Sequence, residues 1–285
     1  MSFAETALLG ALAGFTIFLG LPFARLQLLS ARTRVALAMF AVGVLAFLLV
    51  DVLGHAFEVV EVHVEAASHG EGSFGGAAGY AALLAIGFAL GSAGLAMVER
   101  WMRPPKPHLP PIAGGAEAMT VEQAEELAEA RAWSERAALR TGMTIAAAIG
   151  LHNFAEGLAI GVSASTGEIG LATVLIVGFA LHNATEGFGI VGPLGDVRPT
   201  WRWLFIAGIV GGAPTFFGAM LGYNVTSEPL ELAFYALAGG AILYVIGEVW
   251  HGMRRYGHRE LGLILLSAGF AAGVLTDLVV VYGGG

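Results

Sequence analysis

Long apolar runs, each bounded by charged residues or by Pro and Gly clusters, divide this sequence into eight blocks. Each block approaches the ~20 residues that a helix needs to cross the hydrocarbon core of a bilayer. The ~10-residue segments of alternating polarity that form a membrane β-barrel are absent from the sequence, and an open sheet cannot span lipid. The pattern therefore predicts an all-α integral membrane protein with eight transmembrane helices, near residues 4–24, 35–57, 77–101, 140–165, 170–191, 203–223, 232–251 and 260–282.

Composition supports the membrane assignment. Of the 285 residues only 13% are charged and 56% are hydrophobic, and the mean hydropathy is +0.75. A soluble domain has about 25% charged residues, because most of its surface faces water. The net charge of −8 and the apolar composition argue against nucleic-acid binding. The absence of Cys excludes disulfides and thiolate metal ligands.

Basic and acidic residues are predicted to lie on opposite sides of the membrane. All 14 Lys and Arg lie at or between alternate block ends, so the positive-inside rule places those connections in the cytoplasm and both termini outside. We expect the protein in the plasma membrane, which is the inner membrane in a bacterium. The opposite face is acidic and carries Glu5, Glu58, Glu61, Glu65, Glu71, Glu168, Glu228 and Glu231.

We expect a single transmembrane domain over 1–285, interrupted between the third and fourth helices by a cytoplasmic loop at 103–139. The loop opens with a Pro-rich stretch, which favours an extended chain. Thr120 and Gln123 have the spacing of a capping box, and the residues from Val121 to Leu139 favour a short amphipathic helix. A solvated linker and a partner-binding or regulatory segment are both compatible with this pattern.

One polar motif occurs twice, as Leu-His-Asn-Phe-Ala-Glu-Gly at 151–157 in the fourth span and Leu-His-Asn-Ala-Thr-Glu-Gly at 181–187 in the fifth. On a helix, His at i and Glu at i+4 lie about 40° apart around the axis, and Asn at i+1 lies on the same side. The short link between the spans makes them antiparallel neighbours, so their polar patches are predicted to meet near the bilayer centre. The Gly after each Glu permits close helix approach or a local bend. The residues that meet are His152, Asn153, Glu156, His182, Asn183 and Glu186.

The free energy of burying these groups favours a metal site. A charge at mid-membrane costs roughly 2.5–3.5 kcal/mol on insertion scales, so two Glu cost about 5–7 kcal/mol unless a cation compensates. Imidazole nitrogen and carboxylate oxygen suit Zn²⁺ or Fe²⁺, tolerate Mn²⁺ and Cd²⁺, and do not suit Cu⁺. Hydrogen bonding between helices would explain one such motif, but two copies on adjoining helices favour a metal or proton site.

The paired hexads HNFAEG and HNATEG on consecutive fourth and fifth spans resemble those of the ZIP (Zrt-/Irt-like protein) family of divalent metal transporters. The eight spans, the exterior termini and the long loop after the third span are similar as well. The resemblance implies a 3+2+3 helix arrangement with an inverted repeat, a homodimer, and metal uptake into the cytosol by movement of a bundle of spans one, four, five and six. Zn²⁺, Cd²⁺, Fe²⁺ or Mn²⁺ is then a substrate, and no cofactor is expected. The implied main transport site is His152, Glu156, His182 and Glu186, with Asn153 and Asn183 at an adjacent second position.

Two positions depart from the family pattern. Some members carry an acidic residue just before the Pro of span six, where it completes the second metal position, but this sequence has Ala213 before Pro214. Because Ala cannot bind a metal, we expect the second position to be weak or empty. The loop after span three is often His-rich in the family and here holds only His108.

Other polar residues are candidates for the metal path. Asp51, His55 and Glu58, in and beyond span two, are predicted to form a metal entrance whose negative potential collects cations. An exposed polar helix end is the alternative for Glu58. Glu248 and His251, near the cytoplasmic end of span seven, are predicted as a metal exit or as ordinary interfacial side chains.

Two other kinds of protein remain possible from the residues alone. An intramembrane zinc or di-iron enzyme would use the same ligands, although the sequence has neither a Ser/His/Asp set nor an HExxH motif. A cation channel would need weak, serial sites rather than one convergent cluster. We therefore predict transport of divalent cations, with the enzyme and the channel as alternatives.

Overall fold

The computed structural model describes residues 1–25, 30–102, 105, 107, 120–165, 169–224 and 227–282. Within these ranges every regular element is a helix, which confirms the all-α prediction. Seven helical segments of the described chain are long and apolar enough to cross a membrane. A further helix, α6, lies where the fifth span is predicted.

The helices follow the predicted order of spans. The third span is broken by a π-helical turn, so it contains two α-helices. The elements are α1 (Phe3–Phe15) with 3₁₀ turns at Thr16–Leu19 and Leu21–Arg25, α2 (Ala31–Ser68), α3 (Phe74–Ala89), the π turn (Leu90–Gly94), α4 (Leu95–Met102), α5 (Val121–Ser165), α6 (Ile169–Val191), a 3₁₀ turn (Gly192–Leu194), α7 (Trp201–Asn224), α8 (Glu228–Arg254) and α9 (Arg259–Tyr282).

The helix predicted in the cytoplasmic loop is not a separate short element. It begins with the predicted capping box, in which Thr120 N–H donates to Gln123 and Gln123 N–H donates to the Thr120 hydroxyl. It then runs without a break into the fourth span, forming one helix of 45 residues. The junction at 137–140 reads Ala-Ala-Leu-Arg, all strong helix formers, so nothing ends the helix where polarity changes. Most of the Pro-rich stretch, with His108, and Glu168 lie outside the described residues.

The first span is irregular in its second half. Its α-helix ends at Phe15, and the chain continues as 3₁₀ turns to Arg25. Pro22 lies in the second of these turns, and it has no N–H to donate to an α-helical hydrogen bond.

Helix packing divides the molecule into two groups. We call α1, α5, α6 and α7, with their 3₁₀ turns, the site bundle, in which α5 packs most extensively on α7. We call α2, α3, α4, α8 and α9 the scaffold, in which α2 packs most extensively on α9. The two groups meet mainly along α5 with α8 and α2 with α6, through apolar side chains such as Phe154 and Phe234.

Within each group, helix backbones touch at glycines. A Cβ at these positions would collide with backbone atoms of the neighbouring helix, so each Gly allows an approach that no other residue permits. Gly192, Gly195 and Gly252 instead lie close to residues of the other group. The pairs in close contact are Gly157–Gly218 and Gly20–Gly187 in the site bundle, and Gly43–Gly269 and Gly91–Gly240 in the scaffold.

These glycine contacts follow a symmetric pattern. The site-bundle pairs join span four to span six and span one to span five, and the scaffold pairs join span two to span eight and span three to span seven. An inverted repeat would relate spans one, two and three to spans six, seven and eight, and span four to span five. Under this relation the contact of spans four and six corresponds to that of spans five and one. The contact of spans two and eight likewise corresponds to that of spans seven and three. The packing is therefore consistent with a 3+2+3 arrangement containing an inverted repeat.

Candidate metal site

The two copies of the repeated motif meet where α5 and α6 lie side by side. Glu156 lies between the two imidazoles, with Oε1 2.9 Å from Nε2 of His152 and 2.6 Å from Nε2 of His182. Glu186 approaches the same atom of His152, with its Oε1 3.8 Å from Nε2. One potential ligand atom from each of His152, Glu156 and His182 lies within 4.8 Å of the others. The structure thus brings the four residues of the main candidate site together.

The group is almost completely removed from solvent. His152 and Glu186 are each 1% exposed, and the two Asn side chains are fully buried. The His182 side chain is 10% exposed and faces a cavity. A small cation is therefore able to reach the group from the His182 side.

The two Asn side chains turn their carbonyl oxygens away from hydrogen-bond donors. Asn153 donates its amide N–H to the Gly211 carbonyl of α7 at 2.9 Å, and Asn183 donates to the Ala13 carbonyl of α1 at 3.2 Å. The Oδ1 atoms have no hydrogen-bond partner among the described residues, and neither does either carboxylate oxygen of Glu186. Buried acceptors without donors are rare and costly, so this cluster fits a bound cation.

Glycines next to the two Glu residues set the spacing of the surrounding helices. Gly157 lies against the backbone of Thr215 in α7, and Gly187 lies against Gly20 at the end of the first span. The close helix approach predicted for Gly157 and Gly187 is confirmed. It fixes α5 and α6 against their neighbours one residue from each candidate ligand.

A cavity of about 550 Å³ leads to the site. It lies between the two helix groups and is lined by residues of α2, α5, α6, α8 and α9. Side chains of His152, Glu156 and His182 line it, as do Glu231 and Asp277 near the acidic ends of α8 and α9. The candidate ligands are thus joined by a path to the acidic face.

The predicted entrance residues differ in position. Asp51 and His55 line the cavity, and Oδ1 of Asp51 is 3.9 Å from Nε2 of His55. The His55 side chain is 58% exposed, so a cation in solution can contact it. Glu58 is exposed one turn further along α2 and is not among the residues that line the cavity.

The predicted exit residues lie on the opposite side of the site. Glu248 and His251 belong to the last turns of α8, on the face that carries the basic residues, and neither lines the cavity. His251 is exposed, and Glu248 is half-buried. The structure therefore does not bring them together with the candidate ligands.

Three further polar residues were not assigned to the path by their sequence pattern. Asp277 and Tyr235 line the cavity with Asp51, and the Tyr235 ring stacks on His55 at a centroid distance of 5.9 Å. Glu99, near the end of the third span, is buried and accepts hydrogen bonds from Thr141 and Tyr244. Tyr235 could have been identified from the sequence, because it follows Glu231 by four residues and the two therefore lie on one face of α8.

Comparison with curated proteins gives two relatives. A stretch of 131 residues is 31% identical to the zinc transporter ZIPB of Bordetella bronchiseptica and covers 45% of this chain and 42% of that protein. A stretch of 140 residues is 28% identical to the zinc transporter ZupT of Clostridium perfringens and covers 47% of this chain and 49% of that protein. The chain thus spans about half the length of the curated relatives it matches. No protein-family model matches the sequence.

Proposed function

We propose that this protein transports divalent metal cations across a membrane, because the two curated relatives are named zinc transporters and support the resemblance to the ZIP family. Zn²⁺ is the first candidate substrate, followed by Cd²⁺, Fe²⁺ and Mn²⁺. The observation that carries the proposal is the buried cluster of His152, Glu156 and His182, which lines a cavity between the two helix groups. Nitrogen and carboxylate ligands without sulfur are those that Zn²⁺ and its neighbours accept.

Metal capture begins at the acidic face. Asp51 and Asp277 line the cavity and Glu231 lies near its outer end, so their negative potential raises the local concentration of cations. The ion then meets Glu156, which is placed to bridge a cation to both imidazoles. Neutralising two buried carboxylates offsets about 5–7 kcal/mol of membrane burial, which makes the inner site the stronger one.

The second metal position is proposed to be weak. Asn153 and Asn183 have buried carbonyl oxygens without hydrogen-bond donors, but the residue before Pro214 is Ala213, which has no ligand atom to add. Neutral amide oxygens bind divalent ions more weakly than carboxylates do, so one tightly bound ion per chain is expected.

Release to the other side needs movement between the two helix groups. Backbone contacts at glycines make each group resist deformation, whereas the groups meet through side chains that are able to slide. We propose that the site bundle moves as a unit against the scaffold and exposes the ion to the basic face. We propose Glu248 and His251, in the last turns of α8, as the residues that receive it there.

The setting of the protein follows from the charge distribution. We propose that the basic face is cytoplasmic, that both termini are exterior, and that transport runs into the cytosol across the plasma membrane or a bacterial inner membrane. One transmembrane domain over 1–285 and a homodimeric assembly complete the proposal. The names of both relatives favour transport over the metalloenzyme alternative.

Zinc flux into proteoliposomes containing the purified protein tests the function. We expect saturable uptake at a carrier-like rate. Flux that rises without saturation would support the channel alternative instead. Tight zinc binding without flux would contradict the proposal and favour an enzyme.

A further inference from the structure

Polar contacts join the site bundle to the scaffold at the basic end of the molecule. Each donor or acceptor in the site bundle lies on α5 or on the connection between α6 and α7. Each partner lies at the basic end of α2, α4 or α8. The contacts are Thr141 Oγ1 to Glu99 Oε1 at 2.9 Å, Arg140 Nη1 to the Met102 carbonyl at 2.5 Å, Arg34 Nη1 to Asp196 Oδ1 at 2.9 Å, and Arg255 Nη2 to the Pro193 carbonyl at 2.9 Å.

Glu99 is the buried member of this set. The residue is 6% exposed, and one carboxylate oxygen accepts a hydrogen bond from Tyr244 of the scaffold at 2.9 Å. Its other oxygen accepts from Thr141 of the site bundle. Hydrogen bonds to a charged group are about twice as strong as neutral ones, and burial strengthens them further. All four contacts involve a charged residue, but Glu99 is the only one of these charged residues that is buried. Its bond to Thr141 is therefore the contact of the set that water weakens least.

The ion pair in this set is weaker. The Asp196 side chain is 94% exposed, and an exposed pair contributes little. The same connection is nevertheless held close to the scaffold, because Gly195 has φ +64° and a Cβ there would collide with the ends of Arg255 and Tyr256. The two groups are thus in tight contact at the basic end.

The opposite end is open where the cavity separates the same two groups. A transporter that takes up metal from the acidic side needs this arrangement, with the site reachable from one face and sealed from the other. Moving the site bundle toward release must break the Glu99–Thr141 bond, because the bond joins the parts that move.

We propose that Glu99 and Thr141 form the latch of a gate at the basic end. The latch holds the protein in its outward-facing state, and it opens when the ion is released. This inference rests on the proposed function for the direction of transport, but the latch itself concerns only the balance between two conformations.

Cysteine labelling tests the latch, because the chain has no Cys of its own. Met253→Cys reports on the basic end, since Met253 is 3% exposed and packs opposite Gly192 of the site bundle. Ala159→Cys reports on the cavity, which Ala159 lines. Each reporter is labelled with a hydrophilic maleimide in metal-free detergent solution.

The latch is removed by Thr141→Val, and Thr144→Val is its matched control. Thr144 lies one turn along α5, and its hydroxyl donates only to the Arg140 carbonyl of its own helix at 3.1 Å. Loss of a hydrogen bond to a charged group shifts a two-state balance by on the order of tenfold. We expect Thr141→Val to raise labelling of Met253→Cys and to lower labelling of Ala159→Cys, with the ratio changed about tenfold.

Equal labelling ratios in Thr141→Val and Thr144→Val would overturn the latch. If Thr141→Val does not fold, Thr141→Ala replaces it, because Ala also lacks the hydroxyl, and an unchanged ratio in that variant has the same meaning. Zinc flux of the unmodified protein is measured separately. If zinc flux is absent but Thr141→Val shifts the labelling ratio, the proposed function is rejected and the latch is retained. If zinc flux is normal but the labelling ratio does not shift, the latch is rejected and the proposed function is retained.

Discussion

Gly157, one residue after a candidate ligand, gives a prediction whose size follows from the packing. A Cβ at this position would overlap the Thr215 carbonyl oxygen and lie 2.8 Å from the Ala219 nitrogen. Both are backbone atoms of α7, so no side-chain rotation relieves the collision. In Gly157→Ala, α5 must therefore move away from α7 and displace Glu156.

Gly189 provides the matched control. It occupies the place in the second motif that Ala159 occupies in the first, and a Cβ there meets nothing within 4 Å. Both substitutions gain the same helix propensity, about 1 kcal/mol from Gly to Ala, so that gain cancels when the two variants are compared. Overpacking a tight contact costs typically 1–3 kcal/mol, and we expect Gly157→Ala to be less stable than Gly189→Ala by about that amount.

Reversible unfolding in mixed micelles measures this difference in the free energy of unfolding, and zinc titration of the same samples reports the site. We expect Gly157→Ala also to bind zinc more weakly, because Glu156 shifts relative to His182. Equal stability and equal zinc affinity in the two variants would show that α5 and α7 are not locked by this contact.

Two further predictions concern the site and its entrance. Imidazole and carboxylate ligands must lose their protons to bind a metal, so lowering the pH from 8 to 5.5 should weaken the apparent zinc affinity by at least about tenfold. An unchanged apparent affinity in uptake assays at the two pH values would reject the ligand set. Asp51→Asn should raise the zinc concentration for half-maximal uptake several-fold at low ionic strength. Glu58→Gln should have a smaller effect, because Asp51 lines the cavity and Glu58 does not. Equal effects in the two variants would contradict this role of the cavity.

The number and order of the spans could be predicted from the sequence, because hydrophobic length is a local property that the bilayer imposes on each helix. The continuity of α5 could not. Its polar and apolar halves have different patterns, and only the helix formers at 137–140 join them. The contact of Gly20 with Gly187, in the irregular part of the first span, joins two distant parts of the chain and is contained in no local pattern.

The core of the candidate site was predictable for a specific reason. The motif repeats on two helices joined by a short link, so one helical period places His152 and Glu156 on a shared side, and the repeat supplies His182 and Glu186.

Residues whose role depends on a distant partner were not predictable. Glu99 becomes notable only because Thr141 and Tyr244, from two other helices, converge on its carboxylate. Asp277 contributes to the cavity only because α9 packs beside α2. Neither partnership leaves a spacing signal in the sequence.

The central claim is that divalent metal crosses the membrane through the buried His/Glu cluster. Zinc uptake into proteoliposomes by the double variant Glu156→Ala/Glu186→Ala tests it most directly, with Glu122→Ala/Glu125→Ala on the exposed part of α5 as a control of equal charge change. We expect the control to transport like the unmodified protein and the site variant to lose at least about tenfold in uptake, since even changes outside the ligand set cost 10–100-fold in metal affinity. Normal uptake by a correctly folded Glu156→Ala/Glu186→Ala protein would contradict the account.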